Sequence, residues 1–242
     1  IDRAGLYEDT VTKSQEIEAR NKELDDFTYV VSHDLKEPLI TIDGYSKIVL
    51  NDYRDVIDEE GVGYLTSIVQ SGKRMKGLID DLLTLSRLGR VSEPEESLPL
   101  RNVIGEVLHD IEFSLHESHA IVNIPDELPT VHYNRIQLGM VFRNLIANAI
   151  KFNRSPAPRV DIAVIRAEGG YTISVQDNGI GIERQQYDKI FVIFQRLHRT
   201  EDFRGTGAGL TIVKKIVEKH GGRIWLDSVV GEGTKFYFTI PD

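Results

Sequence analysis

The sequence contains no cysteine. Disulfide scaffolds, thiolate metal sites and cysteine nucleophiles are thereby excluded. No apolar run approaches the roughly 20 residues that a membrane-spanning helix needs, and no signal peptide is visible. Clustered positive charge is also missing: 29 Lys and Arg stand against 38 Asp and Glu, a formal net charge of −9. Nucleic acid and anionic membrane both attract clustered positive charge, so neither is expected as a partner. Proline is scarce in one region, with Pro38 the only one of eight before residue 93. There is no internal repeat and no low-complexity tract. What remains is an ordinary soluble composition, 40% hydrophobic and 28% charged over 242 residues, enough for one or two domains with real cores. The first residue is Ile1 rather than Met. The chain is therefore expected to be a piece of a longer protein, with any upstream sensor domain or membrane anchor outside it. The piece itself is expected in the cytoplasm.

Composition changes near residue 93. Residues 1–92 carry 18 acidic and 12 basic side chains, and residues 93–242 carry 20 and 17. Between them, Ser92-Glu-Pro-Glu-Glu-Ser-Leu-Pro99 is short, acidic and proline-bounded, the character of a linker. The expected division is a helical part over 1–92, a linker over 93–99 and a second domain over 100–242.

The first part reads as two long helices. Positions 6, 10, 13, 17, 20, 24, 27 and 31 follow heptad spacing, with Leu6, Ile17, Leu24, Phe27 and Val31 apolar and Thr10, Lys13 and Arg20 polar. This is an imperfect coiled-coil lead-in. Pro38 removes one backbone bond and crowds the carbonyl of Asp34, so a bend is expected there. Asp55 to Gly63 is polar and reads as the turn. Leu65, Ile68, Gly72, Met75, Ile79, Leu82 and Ser86 then mark a second helix, with Gly89 as its stop. A two-helix hairpin cannot hide its apolar faces alone. Pairing two copies gives a four-helix bundle, hence an expected homodimer.

The second part mixes helices and strands. Ile136 to Phe152 and Leu210 to His220 have helical spacing. Val160 to Ile165 and Tyr171 to Val175 alternate as strands across Gly169-Gly170, and Ile224 to Val229 and Lys235 to Ile240 do so across Gly231-Glu-Gly233. That order suggests an α/β sandwich, and the whole chain an α+β protein.

Four segments carry chemistry: Asn144-Leu-Ile-Ala-Asn148-Ala-Ile-Lys151-Phe152, Asp177-Asn-Gly179-Ile-Gly181, Phe191-Val-Ile-Phe194, and Gly205-Thr-Gly207-Ala-Gly209-Leu210. Asn144, Asn148 and Lys151 share one helix face, and two amides with an ammonium suit phosphate oxygens and Mg²⁺. Asp177 ends a strand and can accept from an exocyclic amine, while its two following glycines let backbone approach a flat base. Gly205, Gly207 and Gly209 precede a helix, whose free amides bind polyphosphate. The glycines match neither a Walker A loop nor a dinucleotide fingerprint.

In this order, the four segments resemble the N, G1, F and G2 boxes of sensor histidine kinases, in their Bergerat-type ATP-binding domain. Gly231-Glu-Gly-Thr-Lys-Phe236 is similar to that domain's final glycine-containing turn. Ser32-His33-Asp34-Leu35-Lys36-Glu37-Pro38-Leu39 resembles the H box of the dimerisation and histidine-phosphotransfer hairpin. The resemblance runs from about residue 20 to 240. It implies ATP-dependent autophosphorylation of His33 and transfer to an aspartate on a response regulator receiver domain. It makes Asn148 the Mg²⁺ ligand, with Asn144, Lys151 and Phe152 near the phosphates. Asp177 would take the adenine amine, with Gly179 and Gly181 shaping the pocket. Phe191 and Phe194 would anchor a lid from about Gln195 to Thr206. Gly205, Thr206, Gly207, Gly209 and Leu210 would form its distal hinge and phosphate contacts, with Arg196, Arg199 and Arg204 as further phosphate contacts.

Seven histidines are present. His116 and His119, at i and i+3, lack a third metal ligand of suitable spacing. His33 stands apart because Asp34 can accept one ring proton, fixing the tautomer and leaving the other nitrogen's lone pair as nucleophile. One position departs from the commonest pattern: four residues after His33, relatives often carry Thr or Asn to position a dephosphorylating water, and here Glu37 stands. The His-Asp-x-x-Glu-Pro form resembles the phytochrome-like subgroup and argues against strong phosphatase activity. Arg204 and Ala208 replace commoner Gly and Leu but leave the close-approach glycines in place. The competing readings are a conformational ATPase of the same nucleotide-fold superfamily and a degenerate kinase serving as a dimeric scaffold.

Overall fold

A computed structural model describes residues 3–88, 94–195 and 205–242, with side chains in the first helix described at Thr12, Lys13, Arg20 and from Thr28 onward. The chain divides into two compact units, Ile1–Arg90 and Val91–Asp242.

The first unit is a hairpin of α1 (Arg3–Asp52) and α2 (Glu59–Arg87). α1 continues through Pro38, whose missing N–H leaves the carbonyl of Asp34 without its helical donor. Most of the heptad positions before residue 28 lie, as side chains, outside the described residues. Ser32, Leu39 and Ser46 are buried at seven-residue intervals, one stripe of α1 turned to its neighbour. From α2 the buried positions are Val69, Gly72, Ile79 and Leu85. Lys36 and Asp80 bridge the two helices at 2.6 Å, and the Arg87 guanidinium lies 5.9 Å from the Tyr29 ring. The helices are therefore antiparallel.

The turn is shorter than the expected Asp55–Gly63. α2 already begins at Glu59, because Asp58 accepts the Gly61 N–H at 2.8 Å and Glu59 and Glu60 stand in the first turn. Gly61 and Gly63, read as turn glycines, are helical. Of the expected apolar stripe, Gly72 and Ile79 are buried and Leu65 half-buried, while Ile68, Met75 and Leu82 are exposed on the single hairpin. Val31, Leu35, Ile40, Ile42, Tyr45 and Ile48 of α1 are exposed with them.

The second unit is a two-layer α/β sandwich. Its sheet has the order β2 (Ile121–Asn123), β4 (Arg159–Ala167), β5 (Gly170–Asp177), β7 (Gly233–Pro241), β6 (Ile224–Val229). β2 pairs parallel with β4, and the remaining pairs are antiparallel. α5 (Arg135–Lys151) packs on β4 and β5, and α6 (Gly209–Lys219) packs on β6 and β7. α3 (Leu100–Asp110) lies against α5, and the short α4 (Glu112–Ser118) follows it. Alternation places Val160, Ile162, Ile173, Val175, Phe236, Phe238 and Ile240 in the core, where Phe142 meets Phe238 edge-on with centroids 5.7 Å apart.

The stretch expected as a linker is largely part of this unit. Glu96–Pro99 form β1, which pairs antiparallel with β3 (Thr130–Tyr133). Leu98 is fully buried, and Arg135 holds Glu96 and Glu106 together at 3.0 and 2.7 Å. Glu95 lies 3.3 Å from His220, whose ring stacks on Tyr133 at 3.9 Å. Leu98 supplies the apolar side chain that draws an acidic, proline-bounded segment into the core. Gly89 lies outside the described residues. No helix among the described residues is long and apolar enough to cross a membrane.

Candidate functional site

In the second unit a cavity of about 290 Å³ opens between the C-terminal half of α5, the end of β5 and the N-terminus of α6. It gathers Asn144, Asn148, Lys151 and Phe152 from α5 and its cap, Asp177 and Gly181 from the end of β5 and the loop after it, and Gly205, Thr206, Gly207, Gly209 and Leu210 from the approach to α6.

Asp177 is the last residue of β5. Its Oδ1 accepts the N–H groups of Gly179 at 2.8 Å and Thr234 at 3.1 Å. Among the described residues Oδ2 accepts nothing. Burial pushes this carboxyl up to about 6, against the opposing pull of those two amides. Gly179 sits so close to α5 that a Cβ there would lie 2.4 Å from the Phe152 carbonyl oxygen. The Ile180 N–H bonds that same oxygen at 3.0 Å. Asn178 has a structural part that its motif did not advertise. Its side chain accepts from Asn153 and from the Arg159 N–H, both at 2.8 Å, and donates to Ala157 O at 3.0 Å. It thereby ties the α5–β4 loop to the end of β5.

The other end of the cavity suits anions. α6 starts at Gly209 with no side-chain cap at Ala208 and no acidic residue in its first turn, so first-turn amides are open to a ligand. A Cβ at residue 209 would come within 2.4 Å of Asn144 Oδ1, and one at residue 205 within 2.5 Å of Lys151 Nζ. Asn144 donates to Met140 O at 2.9 Å. The side-chain amide of Asn148 has no protein partner among the described residues and faces the cavity, so its oxygen is free for a cation.

Some expected residues fall elsewhere. Phe191 and Phe194 do not line the cavity. Phe191 lies against α6, its carbonyl accepting from Thr211 at 2.9 Å with Lys214 5.6 Å from its ring, and Phe194 is exposed with φ +60°. Gly179 acts from behind Asp177 rather than in the wall. Arg196, Arg199 and Arg204 lie outside the described residues. Five lining residues had no role assigned from the sequence: Ile180, Ile182, Ile190, Thr234 and Phe236. The last two lie within the glycine-containing turn Gly231–Phe236, whose buried positions on β7 alternate toward the cavity side.

In the first unit His33 is exposed on α1, with Nδ1 3.5 Å from Asp34 Oδ1. Among the described residues Nε2 has no partner. Glu37, one turn further along, is also exposed.

A cavity with a carboxylate at one end and a helix N-terminus at the other, in a two-layer sandwich that follows a helical hairpin with an exposed histidine, has the architecture of the Bergerat nucleotide-binding class. Known families agree. Residues 133–242 match the family "Histidine kinase-, DNA gyrase B-, and HSP90-like ATPase", and residues 23–90 match the "His Kinase A (phospho-acceptor) domain". The chain is 45% identical over 94% of its length to cyanobacterial phytochrome B of Nostoc sp., covering 30% of that protein. It is 34% identical over 96% of its length to the sensor protein kinase WalK of Staphylococcus aureus, covering 56% of that protein. The solved mycobacterial sensor histidine kinase MprB superposes with a TM-score of 0.54 at 26% identity, over 61% of this chain and 97% of that one. The chain belongs to the sensor histidine kinases, as their two-domain catalytic core. It spans about 30% of the length of the cyanobacterial phytochromes it matches.

Proposed function

We propose that the chain binds ATP in this cavity, accepts its γ-phosphoryl group on His33, and passes it to an aspartate of a response regulator receiver domain. The observation that carries this reading is Asp177: a half-buried carboxylate with one oxygen fixed by two backbone amides and the other left for a donor. Adenine offers that donor in its exocyclic amine. The triphosphate then extends toward the α6 N-terminus, where Gly205, Gly207 and Gly209 admit close approach and Lys151 supplies charge. Asn148 would hold Mg²⁺ through its free amide oxygen, and that ion would neutralise charge on the phosphates.

The nitrogen that attacks is His33 Nε2, because Nδ1 faces Asp34. Asp34 keeps the proton on Nδ1 and stabilises the positive charge that grows on the ring as the N–P bond forms and the bond to the ADP oxygen breaks. Glu37, one turn away, is a carboxylate rather than a neutral water-positioning group, in keeping with the phytochrome relatives and with weak dephosphorylation of the regulator. The exposed apolar residues of the hairpin are proposed to be covered by a second copy, giving a four-helix bundle. An upstream sensor domain would act through α1.

The test uses ATP labelled at the γ-phosphate. Label is expected on the chain as phosphate that survives base and is lost in acid, as a phosphoramidate is. ATP hydrolysis without any phosphoprotein would mark a conformational ATPase instead, and absence of ATP–Mg²⁺ binding would mark a scaffold.

A further inference from the structure

We propose that Ser228 is a positioning residue that sets base specificity, by holding the proton of Thr234 away from the cavity so that the base pocket presents hydrogen-bond acceptors only. The inference rests on reading the cavity as a nucleotide site, and goes beyond it by naming what selects the base.

Ser228 on β6 faces Thr234 on β7. Three groups converge on its Oγ: the Ile182 N–H at 2.8 Å, the Gly233 carbonyl at 2.7 Å and the Thr234 hydroxyl at 2.9 Å. A serine hydroxyl has one proton and two lone pairs. The Gly233 carbonyl can only accept, so the Ser228 proton goes there. The Ile182 N–H can only donate, so it takes one lone pair. What remains for Thr234 is the second lone pair, and the Thr234 hydroxyl must therefore donate to Ser228. Thr234 is buried and lines the cavity beside Asp177, to which its own N–H is bonded. Its oxygen thus turns lone pairs, not a proton, to a ligand.

The serine is itself held in place. The Tyr187 hydroxyl accepts the Ser228 N–H at 2.8 Å and donates to the Ser228 carbonyl at 2.9 Å. One side chain thereby satisfies both backbone groups on the open edge of β6, the edge strand of the sheet. With Ser228 fixed, Asp177 Oδ2 and Thr234 Oγ1 form a pair of acceptors at the base end of the cavity. An amine on the base, as in adenine, donates to them. A carbonyl at that place, as in guanine, meets lone pairs and leaves buried acceptors unpaired, which is the stronger form of discrimination.

The experiment is calorimetric titration of the whole chain with Mg–ATP and with Mg–GTP. Wild type, Ser228→Ala, Ser228→Thr and Thr234→Val are compared, each checked by thermal melting. Wild type is expected to prefer ATP. The ATP-over-GTP ratio is expected to fall about tenfold in Ser228→Ala, the scale of one buried hydrogen bond, and to return in Ser228→Thr, which keeps the hydroxyl. Thr234→Val is expected to show the same loss, and the double variant Ser228→Ala/Thr234→Val no more than either alone. If Ser228→Ala does not melt cooperatively, Thr234→Val and Ser228→Thr decide. A ratio unchanged in Ser228→Ala and in Thr234→Val overturns the assignment, as does an equal fall in both affinities, which would mean a loosened wall. Wild type binding neither nucleotide overturns the nucleotide reading itself.

Discussion

The two units differ in how far they hide their apolar side chains, and their chemistry differs in the same sense. In the nucleotide unit α5 alone buries Leu138, Val141, Phe142, Leu145 and Ile146. In the hairpin α2 buries four residues, one a glycine, and among the described residues many large apolar side chains of both helices face solvent. Asp177 belongs to the closed unit: enclosed, held by two amides, and shifted by burial. His33 belongs to the open one, its side chain 61% exposed, with Asp34 its one polar partner among the described residues. A group that must recognise one base gains from a dry, fixed setting. A group that must meet a phosphate carried by another domain has to be reachable.

The largest expected effect breaks the closed unit. Leu145→Asp places an unpaired charge in a fully buried site and is expected to abolish the cooperative melting of the nucleotide unit, as scanning calorimetry would show. The same kind of change on the open unit is expected to act on association instead. Leu82→Glu puts a charge on an exposed apolar position of the hairpin, and is expected to shift the sedimentation mass from dimer to monomer while the nucleotide unit melts as before. An unchanged mass would mean that Leu82 lies outside the dimer contact.

Asp177→Asn sharpens the comparison. Exchanging an acceptor for an amide donor at Oδ2 is expected to weaken ATP binding about 30-fold, the scale of losing one charge-assisted hydrogen bond and leaving a donor against the base amine. The unliganded variant is expected to melt no lower than wild type at pH 8. The sign follows from the raised pKa. The folded carboxyl takes its proton near pH 6 and the unfolded one near 3.8, so above pH 6 the fold carries a buried charge at a cost of about 3 kcal/mol. Wild type should therefore gain stability as pH falls from 6 toward 4, and the variant should not. Across the same interval ATP affinity of wild type should decline as Asp177 becomes neutral. The smallest expected effect is Gly231→Ala. It has open space around it but φ +85°, so it should cost only about 1 kcal/mol, through backbone strain.

In the second unit α5, β4, β5, α6, β6 and β7 were legible in the sequence because each carries its own period. Leu210 to His220 and Val160 to Ile165 announce a helix and a strand within one residue or two of their observed bounds. α3, α4 and β3 were not read at all, and the shortest strands depend on partners far along the chain. β1 and β2 are four and three residues long, too short to show alternation, and β1 exists because Leu98 finds a core made by residues beyond 130. The early start of α2 could have been read from Asp58-Glu59-Glu60, a cap followed by acidic first-turn residues, had Gly61 and Gly63 not suggested a turn. At the candidate site the glycine and asparagine motifs were visible because they are local. Thr234 and Phe236 stood in a motif without a role and Ser228 was not singled out, since their places come from the pairing of β5 with β7 and of β7 with β6.

The central claim is a division of labour: the closed unit holds ATP and the open one receives the phosphate on His33. It is tested most directly by measuring both functions on His33→Gln. The account predicts that this variant binds Mg–ATP with the affinity of wild type and acquires no acid-labile label from γ-labelled ATP. Retention of that label, or loss of ATP binding together with it, would contradict the account.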